Sequence, residues 1–144
     1  MSTPRGRVID LGRLGLAIVP GPRSGRTGMS SVDLQDIEEV EPVRAVETLL
    51  AFPGTRVIGG AQAASWQWRA EFESADSLIQ LSMALFEPDG HRLLWGGFGL
   101  VGLATRRDVA SIARHLKSVH RGVWLHAAAC IMYAPEDFER EFPA

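Results

Sequence analysis

The sequence predicts an α+β fold with a mainly antiparallel sheet of about five or six strands and two main helices packed on one face. Between Thr55 and Ala104, polarity changes every second residue and short turns interrupt the pattern, as expected for consecutive antiparallel strands. The helical patterns stand before and after this block and do not alternate with single strands, which argues against a doubly wound parallel sheet. The expected order of elements is β–α–β–β–β–β–α–β–α.

Three segments form the predicted centre of the sheet. Residues 65–73 alternate between apolar and polar side chains, so one face of this strand should be buried and the other solvated. Residues 77–87 are apolar on both faces, which favours a central strand, although a buried helix gives the same pattern. Residues 88–90 form a Pro-Asp-Gly turn, and residues 91–104 return with glycines that indicate bulges or curvature. We expect these three strands to be consecutive neighbours. Shorter strands are expected at residues 13–19, 55–59 and 123–133.

Helical periodicity indicates two main helices and a shorter one at residues 135–142. The first begins at Pro42, which suits the first turn of a helix, and runs to Phe52. The second follows a capping-box pattern of Thr105 and Asp108 and covers residues 106–120. The side chains expected to point inward are Val43, Val46, Leu49 and Leu50 in the first helix and Val109, Ile112, Ala113, Leu116 and Val119 in the second. The four tryptophans, Trp66, Trp68, Trp95 and Trp124, are expected to fill the core between the sheet and the helices.

Length and composition indicate one globular domain. The chain has 144 residues, of which 46% are hydrophobic and 22% are charged, and these values lie within the globular range. We expect a single domain over residues 1–144, with residues 1–7 as a flexible tail. The single cysteine, Cys130, excludes an intrachain disulfide and favours a reducing compartment. No apolar run is long enough to span a bilayer or to act as a signal peptide, so we expect a soluble, cytoplasmic protein with no membrane partner.

The loop at residues 20–28 has the outline of a phosphate-binding loop, with glycines and an Arg-Thr pair after an apolar strand. Such a loop holds phosphate with successive backbone amides and a helix N-terminus. Pro20 and Pro22 remove two of these amides, and Arg26 stands where a lysine is expected. We therefore expect an ordinary basic surface loop and no nucleotide cofactor.

The histidines and the cysteine form no recognisable catalytic or metal-binding motif. His126 and Cys130 lie four residues apart on a predicted strand and share a face, but a nucleophilic Cys–His pair also needs a thiolate and an orienting third group. Their neighbours on that face are apolar, which favours a buried, structural cysteine. One cysteine with scattered histidines does not supply a tetrahedral ligand set, so we predict no catalytic residue, no metal and no cofactor. The other histidines are His91, His115 and His120.

Two charged segments are candidate binding surfaces. The first is the densest acidic run in a chain whose formal net charge is only −2, and a local acidic patch can steer association with a basic protein. The second is an arginine face on the predicted helix 106–121, formed by Arg107, Arg114 and Arg121. Both patterns are also typical of the solvated face of an amphipathic helix. The candidate partner-binding residues are Asp33, Asp36, Glu38, Glu39 and Glu41 of the acidic segment.

By elimination, the sequence favours a non-catalytic protein-binding module over an enzyme. The class that fits best is a bacterial toxin-neutralising protein, either an immunity protein or another inhibitor, which binds a partner protein such as a basic toxin or enzyme. One alternative is a small-molecule-binding or enzymatic α+β domain with a pocket near the glycine-rich strand 91–104. Another is a nucleic-acid-binding domain that uses the arginine face of helix 106–121, although the acidic net charge disfavours a nucleic-acid partner.

Overall fold

The computed structural model of the chain describes residues 8–21, 39–87, 89–117, 123–126 and 132–142. Eight strands and four helices follow one another within these ranges. The elements are β1 (Val8–Asp10), α1 (Leu11–Leu14), β2 (Ala17–Pro20), α2 (Pro42–Leu50), β3 (Thr55–Gly59), β4 (Arg69–Glu73), β5 (Leu78–Phe86), β6 (Leu94–Thr105), α3 (Arg106–Lys117), β7 (Val123–His126), β8 (Met132–Tyr133) and α4 (Pro135–Glu141).

These strands form one antiparallel sheet in the order β3-β4-β5-β6-β2-β7-β8, and β1 pairs with the C-terminal part of β6. Six of the strands have four or more residues. The predicted α+β fold with an antiparallel sheet is therefore confirmed, and β4, β5 and β6 are consecutive neighbours as predicted. The segment that could also have been a buried helix is strand β5, which pairs with β4 on one side and with β6 on the other.

The register of the central strands decides which face of the sheet is buried. Ala70, Leu81 and Leu100 lie side by side on three neighbouring strands, and all three are at most 3% exposed. Glu71 and Val101 point to the opposite face and are more exposed. Because side chains alternate between faces, the apolar set of each strand lies on the side that carries the main helices. Helix α3 completes this core with Val109, Ala110, Ile112, Ala113 and Leu116, all of which are buried.

The predicted strand 13–19 is wrong in its first half, because a short helix occupies that position. Helix α1 begins after Asp10, whose side chain caps it by accepting a hydrogen bond from the Arg13 N–H at 3.2 Å. It ends at Gly15, whose φ of 62° is the left-handed conformation that glycine adopts at helix C-termini. Strand β2 therefore starts only at Ala17.

The predicted strand 65–73 starts four residues late, at Arg69, because the chain turns at Ser65. The backbone carbonyl of Ser65 accepts from the Trp68 N–H at 3.1 Å, and its hydroxyl oxygen accepts from the Gln67 N–H, also at 3.1 Å. Serine side chains form such local turns readily. As a result, Trp66 lies in the loop before β4 and is 61% exposed, whereas Trp68 is buried as predicted.

Several predictions concern residues outside the described ranges. These are the N-terminal tail at residues 1–7, residues 22–28 of the basic loop, the acidic segment up to Glu38, and Val119. The predicted strand 123–133 is described only as β7 and β8, with residues 127–131 between them outside the described part.

The start of α3 is held by a buried hydrogen-bond network that extends the predicted capping box. The Thr105 hydroxyl accepts from the Asp108 N–H at 3.2 Å, as predicted for a capping residue. Ser77, which directly precedes β5, joins the two ends of the network, because its hydroxyl accepts from the Thr105 N–H at 3.1 Å and donates to the Asp108 carboxylate. Ser74 donates to the same carboxylate oxygen at 2.8 Å. The network therefore ties the N-terminus of α3 to the adjacent β4–β5 connection.

Two glycines of β6 allow an unusually close approach of neighbouring strands. Gly97 has a φ of 116°, and a Cβ atom at this position would lie 2.5 Å from the Ile18 carbonyl oxygen on β2. Gly102 has a φ of 115°, and its Cβ would lie 2.2 Å from the Leu78 carbonyl oxygen on β5. The ladder between β5 and β6 also shifts register between Ala84 and Leu85, which confirms the irregularity predicted from the glycines.

Replacement of Ser77 by alanine should lower the free energy of unfolding by about 2–3 kcal/mol, because it removes one hydrogen bond to a carboxylate and leaves a buried backbone amide without its acceptor. Ser74→Ala is the matched control, since it removes the other hydrogen bond to Asp108 and the acceptor of the Asp76 N–H, which is only part-buried, and it should therefore cost less than Ser77→Ala. Urea unfolding of both variants measures the difference. Equal losses for the two serines would contradict the central role of Ser77.

Gly102→Ala should destabilise the protein by at least about 3 kcal/mol, because the new methyl group collides with backbone and the residue keeps an unfavourable positive φ. Gly90→Ala separates these two causes. Gly90 also has a positive φ of 75°, but nothing lies within 4 Å of its Cβ position, so only the backbone cost of about 1 kcal/mol should remain. Thermal and urea unfolding of the two variants should rank them in this order, and a milder effect at Gly102 would be inconsistent with the close strand approach.

Candidate protein-binding surface

Two of the five predicted partner-binding residues lie in the described part of the chain. Glu39 and Glu41 are both exposed and stand just before α2. Asp33, Asp36 and Glu38 lie outside the described residues. The structure therefore locates the C-terminal end of the acidic segment and shows which side chains surround it.

The backbone of Val40 fixes this end of the acidic segment to the sheet. Its carbonyl oxygen accepts from the Trp95 N–H at 2.8 Å, next to the first residue of β6, and its side chain is only 3% exposed. Glu39 and Glu41 flank this inward residue and are exposed, as the alternation of an extended segment requires. Residues 39–41 are not helical, because Glu41 has the extended dihedral angles of a residue preceding a helix. Pro42 then opens α2 at its first position, as predicted.

The turn between β5 and β6 brings a cation to Glu39. Asp89 accepts hydrogen bonds from the N–H groups of His91 at 3.0 Å and Arg92 at 3.2 Å, so its side chain shapes the turn. The Arg92 guanidinium lies 3.0 Å from a carboxylate oxygen of Glu39 and 3.6 Å from one of Asp89. The predicted turn is thus present at Asp89 and Gly90. The ion pair between Arg92 and Glu39 then connects this turn to a segment about fifty residues earlier in the sequence.

Two exposed apolar side chains complete this surface. Val43 is 53% exposed and Leu93 is 40% exposed. An open pocket of about 270 Å³ lies between their segments, lined by Glu41, Pro42, Val43, Arg92, Leu93 and Leu94. We call the exposed set the 39–93 surface, and its members are Glu39, Glu41, Val43, Arg92 and Leu93. It combines an apolar centre with charged neighbours, which is the arrangement found in protein–protein contacts.

Three members of this surface, Val43, Arg92 and Leu93, were not predicted from the sequence to belong to it. Val43 was expected to point inward, but the buried residues of α2 are Pro42, Ala45, Val46 and Leu49. These recur at i, i+3, i+4 and i+7, so Val43 lies one residue, or about 100°, away from the buried stripe. A signal was available, since Pro42 is apolar and begins this stripe. Arg92 and Leu93 carried no such signal, because only the folded chain brings them to Glu39.

Hydrogen bonds stabilise the charged forms of the ionisable groups in the turn. The bond from the His91 N–H, opposed by loss of solvent contact and supported by the amide and guanidinium of Arg92, lowers the pKa of Asp89. The bond to Glu39, together with the charges of Glu39 and Asp89, raises the pKa of Arg92. Both shifts favour the charged forms of Asp89 and Arg92, and the Arg92 guanidinium lies between the carboxylates of Asp89 and Glu39.

The other candidate residues that the structure describes do not gather into a second site. His91 is exposed in the turn, whereas the His115 Nε2 lies 2.6 Å from the Thr48 carbonyl oxygen and connects α3 to α2. His120 and Cys130 lie outside the described residues, and the side chain of His126 does as well. Within the described ranges, no group of three His, Cys, Asp or Glu side chains could hold a metal ion.

The arginine face of α3 lies against α4. Arg107 and Arg114 are each 3.8 Å from a carboxylate oxygen of Glu139. Lys117, beside them, lies 2.7 Å from Glu136. These basic side chains therefore have acidic neighbours within the chain, which weakens the case for a nucleic-acid stripe along α3. Arg121 lies outside the described residues.

No protein-family model, no curated protein and no solved structure matches this chain. No helix in the described part of the chain is long and apolar enough to cross a membrane. Function therefore has to be inferred from the side chains and their arrangement.

The carboxyl group of Asp89 should titrate below the ordinary aspartate value of 3.8 in the folded protein. Because the folded-state pKa is lowered, the stabilisation from this group is present above the unfolded value and is lost as the pH falls through the folded pKa. In an Arg92→Gln variant the pKa should rise but remain below 3.8, since the His91 N–H bond is the largest cause of the shift. Carboxyl-detected NMR titration measures both values. A return to 3.8 in the variant would assign the shift to Arg92 instead.

Proposed function

We propose that the chain is a non-catalytic protein-binding module that binds a basic protein through the 39–93 surface. Two exposed apolar side chains, Val43 and Leu93, stand beside the exposed carboxylates of Glu39 and Glu41, and this combination is the main support for the proposal. A toxin-neutralising protein, which binds and blocks a basic toxin or enzyme, is the functional class that this combination suits best.

The apolar part of the surface supports a protein partner. Exposed aliphatic side chains that lose water on binding supply affinity, and the charged residues around them supply orientation. The pocket of about 270 Å³ between Val43 and Leu93 lies just below the usual range for small-molecule sites, which begins near 300 Å³. It suits the insertion of a single side chain from a partner better than the enclosure of a whole ligand.

The hydrogen bonds that position the backbone of this surface also support binding. The Val40–Trp95 hydrogen bond fixes Glu39 and Glu41 to the sheet, and the Asp89 turn fixes Arg92 and the neighbouring Leu93. Side chains that are already positioned lose less conformational entropy when a partner binds. The surface can therefore bind without reorganisation of the fold around it.

The charge balance favours a basic partner over an acidic one. Within the 39–93 surface, Glu39 and Glu41 supply two carboxylates and Arg92 supplies one guanidinium, and Asp89, which lies beside Arg92 but outside this set, adds a third carboxylate. The hydrogen bond from Arg92 positions the Glu39 carboxylate. Because there are more carboxylates than guanidinium groups, the net charge of this region is still negative. Such a patch increases the association rate with a positively charged partner and makes that rate depend on ionic strength.

The test is the capture of a partner from a lysate of the native host with the wild-type chain and with the double variant Glu39→Arg/Glu41→Arg. Wild type should retain a basic protein and block its activity at equimolar ratio. With the purified partner, the double variant should associate at least about tenfold more slowly at low salt, and its rate should respond less to ionic strength. Val43→Lys should weaken the complex mainly through faster dissociation.

The matched control is Val101→Lys, which places the same charge at a valine of similar exposure on strand β6, on the sheet face opposite the main helices. It should leave the association and dissociation rates unchanged. Capture of no basic protein, or equal rates for wild type and the double variant, would overturn the proposal. Circular dichroism of each variant confirms that loss of binding is not loss of the fold.

A further inference from the structure

Strand β3 is an edge strand whose outer side carries two exposed apolar residues. In the described part of the chain, β3 pairs with β4 and stands at the end of the sheet. Val57 is 46% exposed and Ile58 is 45% exposed. An extended edge with unprotected apolar side chains is a template for pairing with another strand.

Hydrogen bonds in two neighbouring ladders show where the backbone groups of β3 point. The Glu73 N–H donates to the Gly54 carbonyl at 3.0 Å, so the backbone groups of Gly54 point towards β4. Because hydrogen-bonded pairs alternate with non-hydrogen-bonded pairs along an antiparallel ladder, the backbone groups of Arg56 point towards β4 as well. On the other side of β4, the Ser74 N–H donates to the Ser77 carbonyl at 2.9 Å, as the same alternation requires. The N–H and C=O of Val57 therefore point away from β4, to the open edge.

The side chains leave this edge accessible. Arg56 is the only charged residue of β3, and its guanidinium binds the Glu71 carboxylate of β4 across the sheet. The ladder between β3 and β4 shifts register between Val57 and Gly59. Ile58 is therefore an extra residue of β3 that has no directly opposite residue on β4. The edge lacks the lysine and proline that commonly prevent strand pairing. Its two protective features are the charge of Arg56, which is paired with Glu71, and the bulge at Ile58, which limits regular pairing to the part of β3 before it.

We propose that β3 pairs with β3 of a second copy of this chain, antiparallel and about a two-fold axis at Val57. The two Val57 residues would exchange two N–H···O hydrogen bonds, which is the closely spaced pair of an antiparallel ladder. The same axis places Arg56 beside Ile58 of the second copy and Thr55 beside Gly59, so no like charges face each other. The resulting dimer has one continuous sheet and a self-complementary interface.

The two-fold axis gives a sharp test, because it places position 57 opposite itself. Sedimentation equilibrium of the full chain should show a reversible dimer with twice the mass of one chain. Val57→Lys and Val57→Glu, each alone, should weaken self-association by at least about tenfold, because like charges then face each other. An equimolar mixture of the two variants should restore a dimer that contains one copy of each.

Val43→Lys is the matched control, since Val43 has similar exposure but lies on the 39–93 surface, and this variant should dimerise like wild type. A monomeric wild type, dimeric single variants, a mixture without heterodimer, or loss of the dimer in Val43→Lys would each overturn the proposal. If a charge at position 57 prevents folding, Ile58→Glu and Ile58→Lys replace it. Ile58→Glu should then associate more tightly than Ile58→Lys, because position 58 lies beside Arg56 of the second copy.

Discussion

Strand β6 pairs with three other strands, and the rest of the structure depends on this arrangement. It runs beside β5 along the whole of that strand, beside β2 near its middle and beside β1 at its end. The close approach of these backbones is possible because Gly97 and Gly102 have no side chains. Both ends of β6 then position other parts of the chain. Trp95 holds Val40 at the start, and the network around Ser77 holds α3 at the end.

The central sheet and α3 could be predicted because each depends on a local pattern of burial. Alternation along β4 indicates one buried face, the apolar run of β5 indicates a central strand, and the register then aligns residues such as Ala70 and Leu81 across strands. Helix α3 buries a stripe with a period near 3.6 residues, which is visible in the sequence without knowledge of its partner. The capping residue Thr105 was also predictable, because its hydrogen bond to the Asp108 N–H spans only three residues.

The remaining features depend on contacts that a local pattern does not contain. Trp66 continues the alternation of β4 in sequence, but the turn at Ser65 removes it from the strand. The candidate surface was located from its acidic residues alone, whereas its apolar half comes from Leu93 and from Val43, whose position differs from the buried stripe by one residue. No property of the acidic run indicates that Arg92 lies beside Glu39, because the chain between them first forms a helix and three sheet strands.

The order of the strands separates the two proposed interfaces. The Trp95 N–H that binds Val40 belongs to β6, whereas β3 stands at the edge, with β4 and β5 between them. Neighbouring strands are about 4.8 Å apart, so these two strands lie roughly 14 Å apart across the sheet. A dimer formed through β3 would therefore leave the 39–93 surface of each copy accessible and would present it twice. Two such surfaces on one rigid sheet would increase the avidity for a dimeric or repeated basic partner without any new contact, provided that their spacing matches that of the partner's sites.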